Sequence, residues 1–442
     1  MNAEPGGEVR NIRNLLLIVL LLNALSSILF ISTVKRPVYD DPNNLPDVHR
    51  YATEGVSIET IRQHRNPTGP TSFLWMAAGV RILGGDELRD ARTAALASWL
   101  LLGTGILFWA ARSSSTRLWY FALLVALVFP HTLTASATIL TEGPGLLFAT
   151  VGAFFWLESV SQPSPSPRLF FLSMIGGLSM GVAITCRQYY LALLPAALLL
   201  AYFQWRGHHH AARNSRWSLM VFLSLVLATL PVIAMVAVWK GMSSPAMIAA
   251  TSYGSWKSTI GVNLGRPLIA AFYLMVYLLP LTFPAMSRLS ERWRLRAGIF
   301  AAVAAISVAS AGADFLQPGP LNSFIRMGAR IPRGEFLLLF AIATLAIYNS
   351  LAVSSLLWEQ RRAIIPCAPA VFAMLVAAFF VAEQIGVGGN LPFYDRYVLQ
   401  LTPFLGLIAF AVLPRLTPAR VFALGCLSVL SHVMLWRFAY SI

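Results

Sequence analysis

The feature that most constrains this chain is a run of about 20 apolar residues, repeated along its length with short polar connections between copies. At 1.5 Å per helical residue such a run crosses the ~30 Å hydrocarbon core of a bilayer. Lipid offers no partner for backbone N–H and C=O groups, so each run must fold as a helix that satisfies its own backbone. The pattern predicts an all-α, polytopic transmembrane bundle of about 11–13 spans. The runs fall at roughly 14–34, 91–111, 118–138, 143–160, 169–186, 189–205, 217–239, 267–287, 297–312, 334–357, 363–382, 397–413 and 419–437. The first follows Arg10 and Arg13, as a signal peptide's apolar region would. It is too long for one and ends in Lys35-Arg36 without a small-residue cleavage site, so it reads as an uncleaved span.

Composition agrees. Only 12% of residues are charged and 57% are hydrophobic, with mean hydropathy +0.67, whereas a soluble domain carries about 25% charged residues. The formal charge of +15 is spread over connections that flank the spans. That placement excludes nucleic acid as a partner and points to membrane lipids with anionic headgroups. Cys186, Cys367 and Cys426 lie far apart and form no CxxC pair. The chain has no GxxxxGK[ST] loop, no GxGxxG after a strand, no HExxH and no GxSxG. His208-His209-His210, three adjacent residues that share no face on regular structure, read as an inner-loop tract rather than a metal site.

With the N-terminus inside, the inner connections are short and each contains arginine. Lys and Arg divide almost evenly, 16 inside and 17 outside, but 13 of the 18 acidic residues fall outside. Four outer regions stand out: 35–90, 240–266, 313–333 and 383–396. In the first, Pro46-Asp47 is expected to open a short helix carrying Val48, Tyr51 and Ala52 on one side. Pro70–Leu83 is expected to lie at the membrane interface, anchored by Phe73, Trp75 and Met76. Tyr253, Trp256, Phe393, Tyr394 and Tyr397 suit an interfacial aromatic belt. Residues 1–442 read as one membrane domain, with 35–90 as its outer catalytic loop.

Candidate chemistry gathers on the outer side. Asp40 and Asp41 follow the first span directly. A carboxylate there, partly withdrawn from water, can serve as a general base; equally, Asp-Asp-Pro-Asn-Asn is turn material. Glu142, after Thr141 and before Pro144, caps a helix and also places a second carboxylate on the same face. Arg187, at a helix end, can neutralise the dipole or hold a phosphate through paired charge-assisted bonds. Arg326, Arg330, Arg333 and Arg396 add positive charge to that side, and charges at the membrane edge are functional candidates by default.

Acidic first loop, acidic second outer turn and arginines at later turns together resemble the GT-C glycosyltransferases. The closest likeness is to the dolichyl-phosphate-glucose-dependent α-1,2-glucosyltransferases and their bacterial relatives. Asp40-Asp41 and Thr141-Glu142 match the superfamily; the stretches matching the glucosyltransferases are Asp40-Asp41, Val48-His49-Arg50-Tyr51, Asn66-Pro67-Thr68-Gly69-Pro70 and Cys186-Arg187-Gln188, with FYDRYVLQLTPFL at 393–405 resembling a late segment of such enzymes. Asp41 stands where that family has Glu in its acidic pair, and the NPTGP stretch departs from its TPPG.

The resemblance implies inverting sugar transfer from a polyprenyl-phosphate donor to a lipid-linked glycan or other cell-envelope acceptor on the outer face. Asp41 or Asp40 would be the base, with Glu142 orienting the acceptor or holding a divalent cation, Mg or Mn. Arg187, Gln188, His49, Asp47, Arg396, Tyr397 and Arg330 would bind substrate. The membrane would be a bacterial inner membrane, or the ER with a lumenal active face. A secondary transporter or lipid flippase is the alternative from another class, although the span interiors carry few charges and show no internal repeat.

Overall fold

The structure is a computed structural model that describes residues 5–113, 115–162, 166–207, 215–241, 243–249, 262–316, 319–386 and 394–440. His208, His209, His210, Tyr253, Trp256 and Phe393 lie outside the described residues. Among the described residues there is helix and no strand. The helices begin with α1 (Pro5–Thr33), α2 (Asp41–Glu54), α3 (Ile58–Arg62), α4 (Thr71–Leu83), α5 (Glu87–Ala110), α6 (Thr116–Val128) and α7 (Thr132–Ala137). Next come α8 (Glu142–Val160), α9 (Pro167–Cys186), α10 (Leu193–Gly207), α11 (Ser215–Trp239), α12 (Pro245–Ala249) and α13 (Gly265–Thr282). The chain continues through α14 (Glu291–Ser310), α15 (Pro320–Met327), α16 (Gly334–Glu359), α17 (Arg361–Ile364), α18 (Ala368–Glu383), α19 (Thr402–Val412) and α20 (Pro418–Tyr440).

Nine of these, among the described residues, are long and apolar enough to cross a membrane: α1, α5, α8, α9, α11, α13, α14, α16 and α20. The other four expected spans coincide with the shorter helices α6, α10, α18 and α19. The third expected span, 118–138, is not continuous. Pro130 has no N–H to donate and ends α6 at Val128, and the chain restarts as α7. The carbonyls this break leaves open are met by side chains: Thr132 Oγ1 donates to Ala126 O (2.6 Å) and Asn23 Nδ2 to Leu127 O (2.8 Å). Helix α6 is buried from Leu118 to Val128 and packs in the core against α19, α1 and α5.

Close approach sets the neighbouring layer. At Gly177 of α9 a Cβ would lie 2.0 Å from the Ser224 carbonyl of α11, so only glycine lets those two backbones meet. Trp156 of α8 reaches the same place and donates to Ser224 Oγ (3.0 Å).

The first outer region folds as α2, α3 and α4. Helix α2 begins at Asp41, well before the expected Pro46-Asp47 start, because Pro42 suits the first turn of a helix and Asp41 is favourable at its positive end. Helix α4 is not anchored in lipid by Phe73 and Met76. Both are fully buried against Val48 and Tyr51 of α2 and Ala91 and Ala95 of α5. Trp75 Nε1 donates to Ala94 O (2.7 Å).

One buried ion pair joins these elements. The fully buried Arg92, on α5, donates from Nε (3.2 Å) and Nη2 (2.6 Å) to Asp41 Oδ2. The same guanidinium donates to Val34 O (2.6 Å) and Arg36 O (2.8 Å), carbonyls just beyond the end of α1 that have no helical partner. Asp41 also accepts from Val38 N (3.0 Å) and Ile139 N (2.6 Å). The end of α1, the start of α2, α5 and the extended step before α8 are thus fastened at one point.

Removing one partner from a buried pair leaves an uncompensated charge and costs about 3–5 kcal/mol. Arg92→Ala and Asp41→Ala are each expected to melt well below the wild type in detergent. An unchanged melting temperature would show that the pair does not hold the outer helices.

Candidate active site

Beside this fastening point, chain segments far apart in sequence supply one charged cavity. Asp40 stands just before α2, following Tyr39, whose φ of 57° is uncommon for a residue with a side chain. Glu142 opens α8, Arg187 caps the end of α9, and Arg396 and Tyr397 lie in the 3₁₀ turn Asp395–Leu401 that leads into α19. Each charge sits where a helix end has orphan backbone groups, so local folding places it at the bundle's rim. The cavity holds about 140 Å³. Asp40, Glu142, Arg187, Arg396 and Tyr397 line one part of it; Asn43, Asn44, Asn66, Pro67, Thr68, Leu140 and Thr141 line the rest.

The charges are cross-connected. Arg187 Nη2 donates to Glu142 Oε1, and Arg396 Nη1 donates to Asp40 Oδ2. Arg396 Nε also lies 3.9 Å from Glu142 Oε1, while Glu142 Oε2 is buried and has no hydrogen-bond partner among the described residues. Aromatic rings face both guanidiniums: Arg396 is 5.1 Å from the Tyr39 ring centroid and Arg187 is 5.2 Å from that of Tyr397, within cation–π range. Burial works to lower the pKa of Arg187, but the Glu142 carboxylate and its other neighbours outweigh it and the net shift is upward. Burial pushes the Tyr39 phenol up to about 12, against the opposing pull of Arg396, so Tyr39 is a neutral hydroxyl near pH 7.

The wall at 66–68 is held from several directions. Asn66 Nδ2 donates to Asn44 Oδ1 (2.7 Å), and Gln188 Nε2 donates to Pro67 O (2.8 Å). Gly69 lies so close to α9 that a Cβ would stand 1.9 Å from Thr185 O. Behind the wall is the buried His64. Its Nε2 lies 2.8 Å from Thr68 O, a carbonyl that can only accept, so Nε2 carries the proton. Nδ1 then accepts from the Tyr51 hydroxyl (3.2 Å), with Asp47 Oδ2 at 3.6 Å.

The residues singled out in the sequence therefore separate. Asp40, Glu142, Arg187, Arg396 and Tyr397 meet at the cavity. Asp41 lies outside it with both carboxylate oxygens engaged by Arg92 and two backbone N–H groups. Asp47 belongs to the support, accepting from Arg65 N (3.3 Å) and Arg50 Nη1 (3.4 Å). Gln188 braces the wall through Pro67, and the exposed His49 pairs with Glu87 at 3.0 Å. Arg330, in the turn Gly328–Arg330, is exposed and does not line the cavity. Sequence reasoning misses Arg92 and Tyr39. An arginine at the outer end of the expected span 91–111 is a readable signal; nothing marks Tyr39, whose left-handed backbone is visible only in three dimensions.

No family model matches the sequence, and no curated protein matches it. Among solved structures, the chain is similar to ArnT from Cupriavidus metallidurans in the apo state, with 16% identity, TM-score 0.42, and 95% of this chain aligned with 77% of that one. The same protein bound to undecaprenyl phosphate aligns at 16% identity and TM-score 0.42 over 98% of this chain and 79% of that one. The archaeal oligosaccharyltransferase AglB from Archaeoglobus fulgidus, in complex with an inhibitory peptide and a dolichol-phosphate, aligns at 12% identity and TM-score 0.37. That match covers 93% of this chain and 56% of the other. Likenesses this distant carry no functional weight.

His64 yields a pH dependence. Burial depresses its pKa below the ordinary ~6.5, against the opposing pull of Asp47. The unfolded chain therefore binds the proton first as pH falls, and stability contributed by the neutral ring drains away below ~6.5. Wild type is expected to lose more melting temperature than His64→Gln between about pH 7.5 and about pH 5.5. Equal losses would mean that His64 is not held neutral.

Proposed function

We propose that this chain is a membrane glycosyltransferase that moves a sugar from a polyprenyl-phosphate donor to a hydroxyl acceptor, with chemistry at the outer or lumenal face. The observation that carries the reading is the convergence of two carboxylates and two arginines at one cavity on the rim of a membrane bundle. A cavity of about 140 Å³ is smaller than the ~300–1,000 Å³ of a site that encloses a drug-sized ligand. It suits the reacting phosphate and part of a sugar, with the polyprenyl chain left in the bilayer.

The roles follow from position. Asp40, the carboxylate that lines the cavity with its side chain 27% exposed, takes the proton of the attacking hydroxyl. This replaces Asp41, whose oxygens are fully committed to structure. The acceptor oxygen bonds to the anomeric carbon from the face opposite the phosphate, the carbon–oxygen bond to phosphate breaks, and its electron pair leaves with the lipid phosphate. The anomeric centre inverts. Arg187 and Arg396 receive the charge that collects on the departing phosphate, and Glu142 holds Arg187 in place and orients the acceptor. The Asn43, Asn44, Asn66 and Thr68 side suits hydroxyls of sugar or acceptor. A lipid-linked glycan or other cell-envelope molecule is the acceptor proposed.

A divalent cation fits this donor set poorly. No three of His, Cys, Asp and Glu converge among the described residues, and both cavity carboxylates are paired with arginine. Mg²⁺ needs only one or two carboxylates beside a substrate phosphate, but here it would have to displace a guanidinium from each; no step is routed through a metal.

Membranes containing the protein, supplied with radiolabelled polyprenyl-phosphate sugars, test the reading. Wild type is expected to move label to an acceptor, and Asp40→Asn to transfer about 10²–10⁴-fold more slowly. Full activity in Asp40→Asn would remove Asp40 as the base. Transport of intact lipid or solute, with no covalent product from any donor, would overturn the transferase. Arg187→Gln is expected to lose about 10²–10³-fold in rate, the size of effect seen when one oxyanion-stabilising donor is lost. Unchanged turnover there would separate Arg187 from the leaving group.

A further inference from the structure

Arg330 stands away from the cavity, and so do Arg326 and Arg333. These three lie in the connection between α14 and α16, two spans that pack side by side. The connection therefore sits at the bilayer surface. Its helix α15 packs on the bundle, burying Leu321, Asn322 and Ile325, and Asn322 Nδ2 donates to Leu316 O (2.9 Å). Arg326 donates to Asn322 Oδ1 (3.0 Å) and Asp314 Oδ1 (3.0 Å).

The other side of the connection is left to its surroundings. Phe324 and Met327 of α15 are 52% and 62% exposed and three residues apart, the spacing that puts side chains on one helical face, and Ile331, in the extended step after the turn Gly328–Arg330, is 64% exposed. Arg330 and Arg333 are exposed, and their side chains make no hydrogen bond or ion pair among the described residues. The nearby acids are engaged: Asp314 by Arg326, and Glu335 by the backbone N–H of Ala313 (3.3 Å).

The geometry points to a binding site for the headgroup of an anionic phospholipid. Its phosphate is held by Arg330 and Arg333, and its acyl chains run down past Phe324, Met327 and Ile331. Charge complementarity selects an anionic over a zwitterionic headgroup, because two uncompensated guanidiniums meet net negative charge in one case and a neutral pair in the other. The apolar stripe selects a bilayer lipid over free phosphate. The site is separate from the catalytic cavity and independent of the reaction proposed there.

The test places the full-length protein in nanodiscs with equal photoreactive phosphatidylglycerol and phosphatidylcholine, and maps crosslinks to chymotryptic peptides covering 320–333. Phosphatidylglycerol is expected to label this segment in excess. In Arg330→Gln/Arg333→Gln, which breaks no hydrogen bond or ion pair among the described residues, the excess is expected to fall roughly tenfold with melting temperature unchanged. Should the double variant fail to fold, Arg330→Gln alone carries the comparison. Equal labelling by the two lipids in wild type, or an excess that survives the substitutions, would overturn the site. So would displacement of phosphatidylglycerol here by polyprenyl phosphate at equal mole fraction, which would make the connection a donor entry point.

Discussion

The outer end of this molecule depends on buried charge being paired: Asp41 is met by Arg92, Glu142 by Arg187 and Asp40 by Arg396. The Asp41–Arg92 pair is the most complete, with two side chains fully buried and every strong donor and acceptor engaged. An unpaired charge at that depth would cost several kcal/mol, more than a marginally stable chain can spare. The pair therefore dictates where α1 ends, where α2 begins and how α5 lies beside both. Asp40, one residue earlier, is turned toward the cavity because Asp41 is turned away from it.

The same pairing gives the cavity its character. Asp40 with Arg396 and Glu142 with Arg187 form a charge-balanced set at low dielectric, where each interaction is stronger than it would be in water. A phosphate entering such a set would compete with the carboxylates for the guanidiniums. The aromatic rings of Tyr39 and Tyr397 keep the arginines in place without neutralising them. The wall opposite is fastened by amide and carbonyl contacts through Asn44, Asn66 and Gln188, so the polar groups around the cavity are braced from behind. Away from the cavity the requirement relaxes: at the α14–α16 connection Arg326 pairs with Asp314, while Arg330 and Arg333 are exposed.

Much of this is legible in the amino-acid sequence. Span length, low charge and the backbone's need for internal partners specify a bundle of transmembrane helices, because lipid removes every other helical arrangement. The same reasoning places the charges at the rims and most of the acids on one side, since charges in such a chain are kept out of the spans. It does not foresee the break at Pro130, where Thr132 and Asn23 replace the lost helical bonds, because hydropathy counts apolar residues and Phe129 and Leu133 continue the run. Nor does it foresee that Phe73 and Met76 face protein, since an interfacial helix and a buried one share the same apolar stripe.

What only the tertiary structure decided is which member of each candidate set reaches the cavity. Asp40 and Asp41 are adjacent and chemically identical, and no periodicity separates them; the difference arises from Arg92, 51 positions further along the chain from Asp41. Arg396 and Arg330 are both outer arginines, yet one meets Asp40 across 356 positions of the chain and the other is exposed. The sequence by itself determined the solvent each segment must face, because burial and hydrogen-bond satisfaction are local requirements. Partner choice among like charges depends on distances between segments that are far apart in sequence, and those distances exist only once the helices have packed.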